Sequence, residues 1–183
     1  MRCYAAAAVA AGLMFAVPLA ARAQAPAPAP AAAPAAVPEQ MPFDVPYGTP
    51  ISLDTAHKAI MAAAAEAKKH NWKFAISVVD PSGALVAHAT MDGTQYGSIE
   101  VSQAKARTAA QFRRPTQLLQ NAINMNGSPA TLSVLALGRG AAIEGGFPII
   151  IDGKLIGAIG ASGGLSSQDA VAAKAGLAAI GAQ

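Results

Sequence analysis

Apolar and polar positions along this chain follow helical and strand periods in turn. From Ile51 to His70 the apolar and small residues recur at helical spacing. Ser52 or Asp54 is available as an N-cap, and Asn71 follows the last turn. The pattern therefore predicts a first helix over this stretch.

Two pairs of short segments alternate instead with the period of a strand, and each pair flanks turn residues. The pairs are Phe74–Val79 with Ala84–Met91 around Asp80-Pro81-Ser82-Gly83, and Phe147–Ile151 with Leu155–Ala161 around Asp152-Gly153. Both are predicted to be antiparallel hairpins, because such tight turns cannot join parallel strands.

Helical spacing returns between the two hairpins. Ser98–Phe112 is predicted to be a helix, and Pro115 at an N1 position restarts a helical segment through Met125. Asn126-Gly127-Ser128-Pro129 ends that segment. Thr131–Ala136 is predicted to be a short strand or irregular.

An alanine-rich helix that ends at Ile180 follows the second hairpin, with Ser167 or Asp169 as its cap. The order helix, hairpin, helices, hairpin, helix predicts an α/β (α+β) fold in which helices pack on one antiparallel sheet. A doubly wound nucleotide-binding fold is excluded, because its strands are parallel.

The first 23 residues have the features of a secretory signal peptide. Arg2 gives a thin positive region, Ala5–Ala20 is apolar, and Ala21-Arg22-Ala23 forms an A-x-A cleavage site. A retained anchor is the alternative, although about 16 apolar residues fall short of the ~20 that span a bilayer. We therefore expect a periplasmic or secreted protein with no integral membrane span after cleavage.

Residues 24–50 are predicted to be a linker, because proline alternates with alanine through most of this stretch, and residues 51–183 to be one domain. Cleavage would remove Cys3, the single cysteine, which excludes disulfides, thiolate catalysis and cysteine-ligated metals. It would also remove two arginines, leaving 11 basic residues against 10 acidic ones. Nucleic acid is therefore not an expected partner.

The sequence contains no conventional metal-binding or nucleotide-binding signature. It has no H-E-x-x-H and no phosphate-binding loop. Turns and close packing explain the glycines at 145, 146, 157, 160, 163 and 164, and an anion site at Ser162–Ser166 before the last helix is the alternative. These observations favour a binding protein over an enzyme.

A set of motifs follows in order along the domain. They are Ser77-Val78-Val79-Asp80 with Gly83, Leu85-Val86-Ala87 through Met91-Asp92-Gly93, Lys105-Ala106-Arg107-Thr108-Ala109 with Arg114-Pro115-Thr116, Gly145-Gly146-Phe147-Pro148-Ile149 with Asp152-Gly153, and Ile156-Gly157-Ala158-Ile159-Gly160 with Ser162-Gly163 and Gln168-Asp169. Their order and spacing resemble those of the GlcG/HbpS family, which includes the C-terminal domain of PduO-type proteins. The resemblance covers residues 52–181.

This resemblance implies a profilin-like fold, homo-oligomeric assembly and, in several members, haem binding; other members are tied genetically to glycolate or diol utilisation. Haem needs an axial iron ligand, an apolar slot and cations for its propionates. His57 and His88 are the candidate ligands, and a partly buried or surface histidine with no ligand is the alternative for each. His70, at the end of the first helix, is interpreted as a helix cap.

Basic residues on and after the second helix are candidates to pair with propionates or another small carboxylate. Arg107 and Arg114 share a helix face if the helix continues, whereas Lys105 lies about 200° from Arg107 and is expected on a solvated face. An ion pair with Asp80 or Asp92 is the structural alternative for the arginines. The cluster consists of Lys105, Arg107, Arg113 and Arg114.

Three functions follow as hypotheses. The first is an exported, homo-oligomeric protein that binds haem or a related tetrapyrrole, with Phe147 among the residues that contact it. The second is a binding protein or accessory enzyme for a small organic acid, with Arg107, Arg114 and Glu144 lining the pocket. The third is a structural assembly module whose glycines and alanines serve subunit packing.

Overall fold

Helices and strands follow nearly the predicted order in the computed structural model, which describes residues 37–138 and 140–183. The predicted signal peptide and most of the predicted linker lie outside these residues. The elements are α1 (Leu53–Lys69), β1 (Ala75–Val79), β2 (Leu85–Thr90), α2 (Gly97–Phe112), α3 (Thr116–Asn126), α4 (Pro129–Gly138), β3 (Gly146–Ile151), β4 (Lys154–Ser162) and α5 (Ser166–Ala179).

The strands form one antiparallel sheet in the order β2-β1-β4-β3, so the two predicted hairpins are joined by β1 and β4. Asp152 and Gly153 have φ of 52° and 71°, the left-handed conformations that an Asp-Gly hairpin turn needs. The end of the predicted linker extends the sheet, since Gly48 N donates to Leu155 O and Leu155 N donates to Pro46 O, each at 2.8 Å. The predicted fold class is confirmed.

Helices α1 and α5 pack side by side on one face of the sheet. α1 begins after Ser52, whose hydroxyl accepts a hydrogen bond from Thr55 N at 3.2 Å, so the predicted N-cap is confirmed. Alanines on both helices allow close packing over the apolar side chains of the strands. The core on this face includes Ala56, Ala59, Ile60, Ile76, Val78, Ile149, Ile159, Ala172, Ala173 and Leu177.

Helix α2 crosses the opposite face of the sheet at close range. Gly160 of β4 leaves the space that this crossing needs: a Cβ there would overlap the Ser102 carbonyl oxygen and lie 2.6 Å from Ala106 N. Gly146 lies opposite Gly160 in the sheet, and a Cβ there would lie 2.8 Å from the Lys105 carbonyl carbon. The helix backbone therefore rests directly on the strand backbone.

The segment Thr131–Ala136 is helical, so its prediction as a short strand or irregular was wrong. It lies within α4, where the Ser128 hydroxyl accepts from Thr131 N at 3.3 Å. Pro129 fits the first helical turn, where its missing N–H would have no intrahelical partner. The exposed apolar side chains Leu132, Val134 and Leu137 obscure the amphipathic pattern by which a surface helix is identified.

Two predicted helix starts also differ from the structure. Pro115 is the N-cap of α3 and not its N1 residue. α5 begins at Ser166, ahead of both predicted caps, and Asp169 is buried inside the helix. The side chain of Gln168 provides the hydrogen bond at this end, accepting from Leu165 N at 2.9 Å.

Candidate functional site

A groove of about 310 Å³ lies between α1 and the C-terminal end of β2. It joins an apolar surface, which includes two methionines, to two lysines. Met61 is 64% exposed, so a large apolar side chain stands open to a ligand in this groove. The lining residues are Met61, Ala64, Lys68, Lys73, Ala89, Thr90, Met91 and Asp92.

His57 lies on the same side of α1 as the groove. It precedes Met61 by four residues and Ala64 by seven, so the three form one stripe along the helix. The residue is exposed, and within the part of the chain that the structure describes no hydrogen bond holds its ring. The imidazole therefore lies exposed beside an apolar surface.

His88 belongs to a hydrogen-bond chain that sets the orientation of its ring. Ser102 Oγ donates to the Ile99 carbonyl at 2.8 Å, and Ser77 Oγ lies 2.8 Å from both Ser102 Oγ and His88 Nδ1. Because the hydroxyl proton of Ser102 is already used in the bond to the Ile99 carbonyl, the Ser77 hydroxyl donates to Ser102 Oγ. His88 Nδ1 in turn donates to Ser77 Oγ. His88 Nε2 then accepts from the Thr90 hydroxyl at 2.7 Å. Both ring nitrogens are thus used within the protein.

The two candidate iron ligands lie on different faces of the sheet. His57 is on α1, whereas the His88 ring meets Ser77 and α2 on the other face. They therefore cannot coordinate one iron within one chain. His70 is the C-cap residue of α1, as predicted; its ring stacks on Trp72 with centroids 4.3 Å apart, and its Nε2 lies 3.2 Å from Glu66 Oε1.

Burial lowers the pKa of His88 below its ordinary 6.5, because the surrounding protein disfavours the imidazolium. The unfolded chain then binds more protons than the folded chain as the pH falls from 6.5 to the folded pKa, and stability is lost over that window. We expect an NMR titration to give a His88 midpoint below 6.5. We also expect His88→Gln to flatten the fall of Tm in that window; a midpoint at or above 6.5 would contradict the burial argument.

The candidate arginines face different parts of the surface. Arg107 lines a groove of about 270 Å³ along α2. The helix ends at Phe112 because Arg113 is left-handed, with φ of 52°, so it does not continue to Arg114 and the condition for a face shared with Arg107 is not met. Arg114 instead places its guanidinium 4.0 Å from the centre of the Phe43 ring and lines another groove.

Neither predicted partner of the arginines is used as expected. Within the described residues no ion pair joins an arginine to Asp80 or Asp92. Asp80 instead shapes the β1–β2 turn, with Oδ1 accepting from Ser82 N at 2.8 Å and Ala84 N at 3.0 Å. Arg113 pairs with Asp44 at 3.5 Å.

The organic-acid pocket predicted from three residues is not assembled. Arg107 and Arg114 line different grooves, and neither groove includes Glu144. The backbone N–H of Glu144 donates to Gln120 Oε1 at 2.7 Å, which fixes this residue beside α3.

Lys105 is buried, and its prediction as a solvated residue was wrong. Only 1% of the residue is exposed; its Nζ donates to Asp169 Oδ2 at 2.6 Å and to the Ala161 carbonyl at 3.2 Å. Burial lowers the pKa of Lys105 and raises that of Asp169, while their mutual attraction opposes both shifts. Lys105 therefore joins α2 to α5 and offers no free charge to a propionate.

Two other predicted ligand contacts are also used inside the protein. Phe147 is 7% exposed in the core, with Lys174 Nζ 5.3 Å from its ring centre, and offers little surface to a cofactor. In the predicted anion loop, Gly164 N donates to Asp169 Oδ1 at 3.2 Å, and Leu165 N is satisfied by α5. The protein's own side chains thus occupy that helix N-terminus.

A family model described as "Haem degrading protein HbpS-like" matches residues 51–178. The chain belongs to the HbpS-like family. Protein GlcG of Escherichia coli strain K12 is 40% identical over 112 residues, which are 61% of this chain and 81% of GlcG. The resemblance to the GlcG/HbpS family is thereby confirmed.

Solved structures share this HbpS-like fold. A PduOC:heme complex has a TM-score of 0.68 and 27% identity, covering 74% of this chain and 98% of that chain. HbpS of Streptomyces reticuli, solved as a double mutant, has a TM-score of 0.66 and 27% identity, covering 81% of this chain and 97% of that one.

Four groove residues of this HbpS-like domain were not predicted as site residues: Met61, Lys68, Lys73 and Met91. The first two carried a signal, because they follow His57 by four and eleven residues on one helix face. Lys73 lies just before β1 and Met91 just after β2, and only the packing of this hairpin beside α1 brings both into the groove.

Two kinds of feature are absent from the described parts of the chain. No group of three or more histidine, cysteine, aspartate or glutamate residues there could hold a metal ion. No helix there is both long enough and apolar enough to cross a bilayer. A histidine that binds the iron of a tetrapyrrole does not need such a group, because the macrocycle supplies the other iron ligands.

Proposed function

We propose that this HbpS-like protein is an exported, homo-oligomeric haem-binding protein that holds the tetrapyrrole in the α1–β2 groove. The observation that carries this proposal is the stripe on α1 from His57 through Met61 and Ala64 to Lys68, which enters the groove. The description of the family model and the PduOC relative solved with heme support it. The export component rests on the signal peptide predicted at residues 1–23.

The groove has the chemistry that a tetrapyrrole requires. Met61 and Met91 present polarizable apolar surface to a flat ring system. Lys68 and Lys73 would hold the propionates. The residues that line the groove include these two basic side chains and one acidic side chain, Asp92. The volume, about 310 Å³, is at the lower end of the ~300–1,000 Å³ usual for ligand pockets, so the groove would cover part of the ligand.

In this proposal His57 would hold the haem iron, and His88 would not. The His57 ring is exposed beside the groove, whereas His88 Nε2 already accepts the Thr90 hydroxyl at 2.7 Å. Iron at His88 would have to displace that hydroxyl and disturb the chain to Ser77. When bound, haem supplies a redox-active iron; the role of this chain is to hold it through His57 and to shield one side.

Titration of the purified protein with hemin tests the proposal. We expect a saturable Soret shift for the wild-type protein. In His57→Ala the shift should be lost, or the affinity for hemin should fall by at least about 100-fold, which exceeds the ~10–100-fold cost of losing an outer-shell partner. Lys68→Ala should weaken binding by a smaller factor, because a propionate contact at the surface is screened.

His88→Ala and His70→Ala are the matched controls, and both should keep the saturable shift. If His88→Ala loses the shift while His57→Ala keeps it, the assignment of the axial ligand is overturned. A flat or nonsaturable response of the wild-type protein would overturn haem binding itself.

A further inference from the structure

A threonine hydroxyl at the end of β2 is hydrogen-bonded as a nucleophile is bonded to its general base. Thr90 is exposed and lines the α1–β2 groove, and its hydroxyl donates to His88 Nε2 at 2.7 Å. The two side chains project from the same side of the strand, because the residues are two positions apart. A hydroxyl within about 2.6–3.2 Å of a basic nitrogen is the first requirement for an activated nucleophile.

Two buried serines orient the ring of His88 for this role. Ser77 lies opposite His88 in the β1–β2 pair, and Ser77 Oγ accepts from His88 Nδ1 at 2.8 Å. Ser77 Oγ in turn donates to Ser102 Oγ at 2.8 Å, and neither serine is exposed. This chain keeps the proton on Nδ1 and leaves the lone pair of Nε2 directed at the Thr90 hydroxyl. A third group that orients the base completes the arrangement of a catalytic triad.

We infer that Thr90 is a catalytic nucleophile that hydrolyses small carboxylic esters, with His88 as its general base and Ser77 as a positioning residue. Thr90 Oγ forms a bond to the carbonyl carbon of the ester while its proton passes to His88 Nε2. The ester C–O bond then breaks, and the leaving alcohol takes this proton from Nε2. Water attacks the acyl-Thr90 in the same way: its proton passes to Nε2 and then to Thr90 Oγ as the carboxylic acid leaves.

The surroundings of Thr90 suit this reaction. Lys68 and Lys73 line the groove with Thr90, and positive groups near a reacting carbonyl stabilise the negative charge that its oxygen gains in the transition state. Burial lowers the pKa of His88 below 6.5, so the imidazole is neutral at pH 7 and can accept a proton. The methyl group of threonine crowds the attacking oxygen, which favours an ester with a short acyl group.

Hydrolysis of p-nitrophenyl acetate by the purified protein, without added haem, tests this inference. Thr90→Val and His88→Gln should each lower kcat/KM by at least about 100-fold, the lower end of the ~10²–10⁴-fold contribution of general base catalysis. Ser77→Ala should lower kcat with little change in KM, because Ser77 is buried and cannot touch the substrate. The apparent pKa of kcat/KM in the wild-type protein should equal the midpoint of the His88 NMR titration.

The acyl intermediate provides a second, independent measurement. Acid quenching during turnover should trap one acetyl group, and tandem mass spectrometry should place it on Thr90. Thr90→Ser keeps the hydroxyl and should keep the activity, which separates loss of the nucleophile from misfolding. Thr49→Val and His70→Ala remove an exposed threonine and an exposed histidine elsewhere, and both should keep the wild-type rate.

Three results would overturn the inference. The first is a wild-type rate no greater than that of free imidazole at the same concentration. The second is a Thr90→Val or His88→Gln variant that keeps the wild-type rate. The third is an acetyl group found only on lysine or histidine side chains, which would show a reaction of surface groups with the activated ester.

Discussion

Lys105→Met should lower the free energy of unfolding by about 3–5 kcal/mol, the usual cost of breaking a buried ion pair by removing one partner. The substitution keeps most of the volume of the side chain but leaves the buried Asp169 carboxylate without a cationic partner, with hydrogen bonds from backbone N–H groups such as that of Gly164. The charge has no route to solvent, since the residue is 2% exposed. Urea unfolding followed by circular dichroism measures the loss.

Two further variants separate the ion pair from simple loss of packing. Lys105→Met combined with Asp169→Leu removes both charges and should recover most of the stability, because an apolar pair of similar size often replaces a buried ion pair at little cost. Lys58→Met, on an exposed position of α1, should change stability by less than about 0.5 kcal/mol. A single Lys105→Met variant as stable as the wild-type protein would contradict the structural role assigned to this pair.

Lys105 shows why the sequence could not locate this pair. Its partner lies 64 residues away on the helix that packs on the other face of the sheet. The two side chains meet because Gly145, Gly146 and Gly160 place no side chains where α2 crosses the sheet. The helical period of the sequence does not show where this crossing lies. The period placed Lys105 about 200° from Arg107 correctly, but it does not tell which of the two faces is buried.

The hairpins were predictable because their signals are local. Asp152-Gly153 supplies two left-handed residues that few other pairs tolerate, and the Asp80 side chain closes its own turn. The α4 segment gave no such signal, since its apolar residues surround the helix. Likewise, the end of α2 depends on one left-handed residue, Arg113. Arginine is not a residue type that favours this conformation, so the sequence does not predict it.

The candidate site was predictable only in part. His57, Met61 and Lys68 lie on one helix, so their spacing in the sequence is enough to predict that they share a face. Lys73 precedes β1 and Met91 follows β2, and they reach the groove because this hairpin packs beside α1, which the sequence alone does not show. His88 had the right residue type at a strand position, but its hydrogen bonds to Ser77 and Thr90 could not be read from alternation alone.

Close packing of α2 on the sheet leads to the second large expected effect, at Gly160. A Cβ there would overlap the carbonyl oxygen of Ser102 and lie 3.1 Å from the Ala106 methyl group. The obstacle is helix backbone and not a flexible side chain, so α2 as a whole would have to shift. Gly160→Ala should therefore cost about 3 kcal/mol, the upper end of the usual range for overpacking.

A control glycine on α2 distinguishes overpacking at Gly160 of β4 from the general effect of replacing glycine. A methyl group on Gly97, in the first turn of α2, would meet no other atom within 4 Å, so Gly97→Ala should be neutral or stabilise by up to about 1 kcal/mol through the unfolded chain. Thermal unfolding of both variants gives the comparison. Because Ser102 anchors Ser77 and through it His88, the shift of α2 in Gly160→Ala should also alter the His88 ring signals in NMR spectra. If Gly160→Ala is as stable as Gly97→Ala, α2 does not rest on β4 as closely as described, and the hydrogen-bond chain to His88 would lose its rigid support.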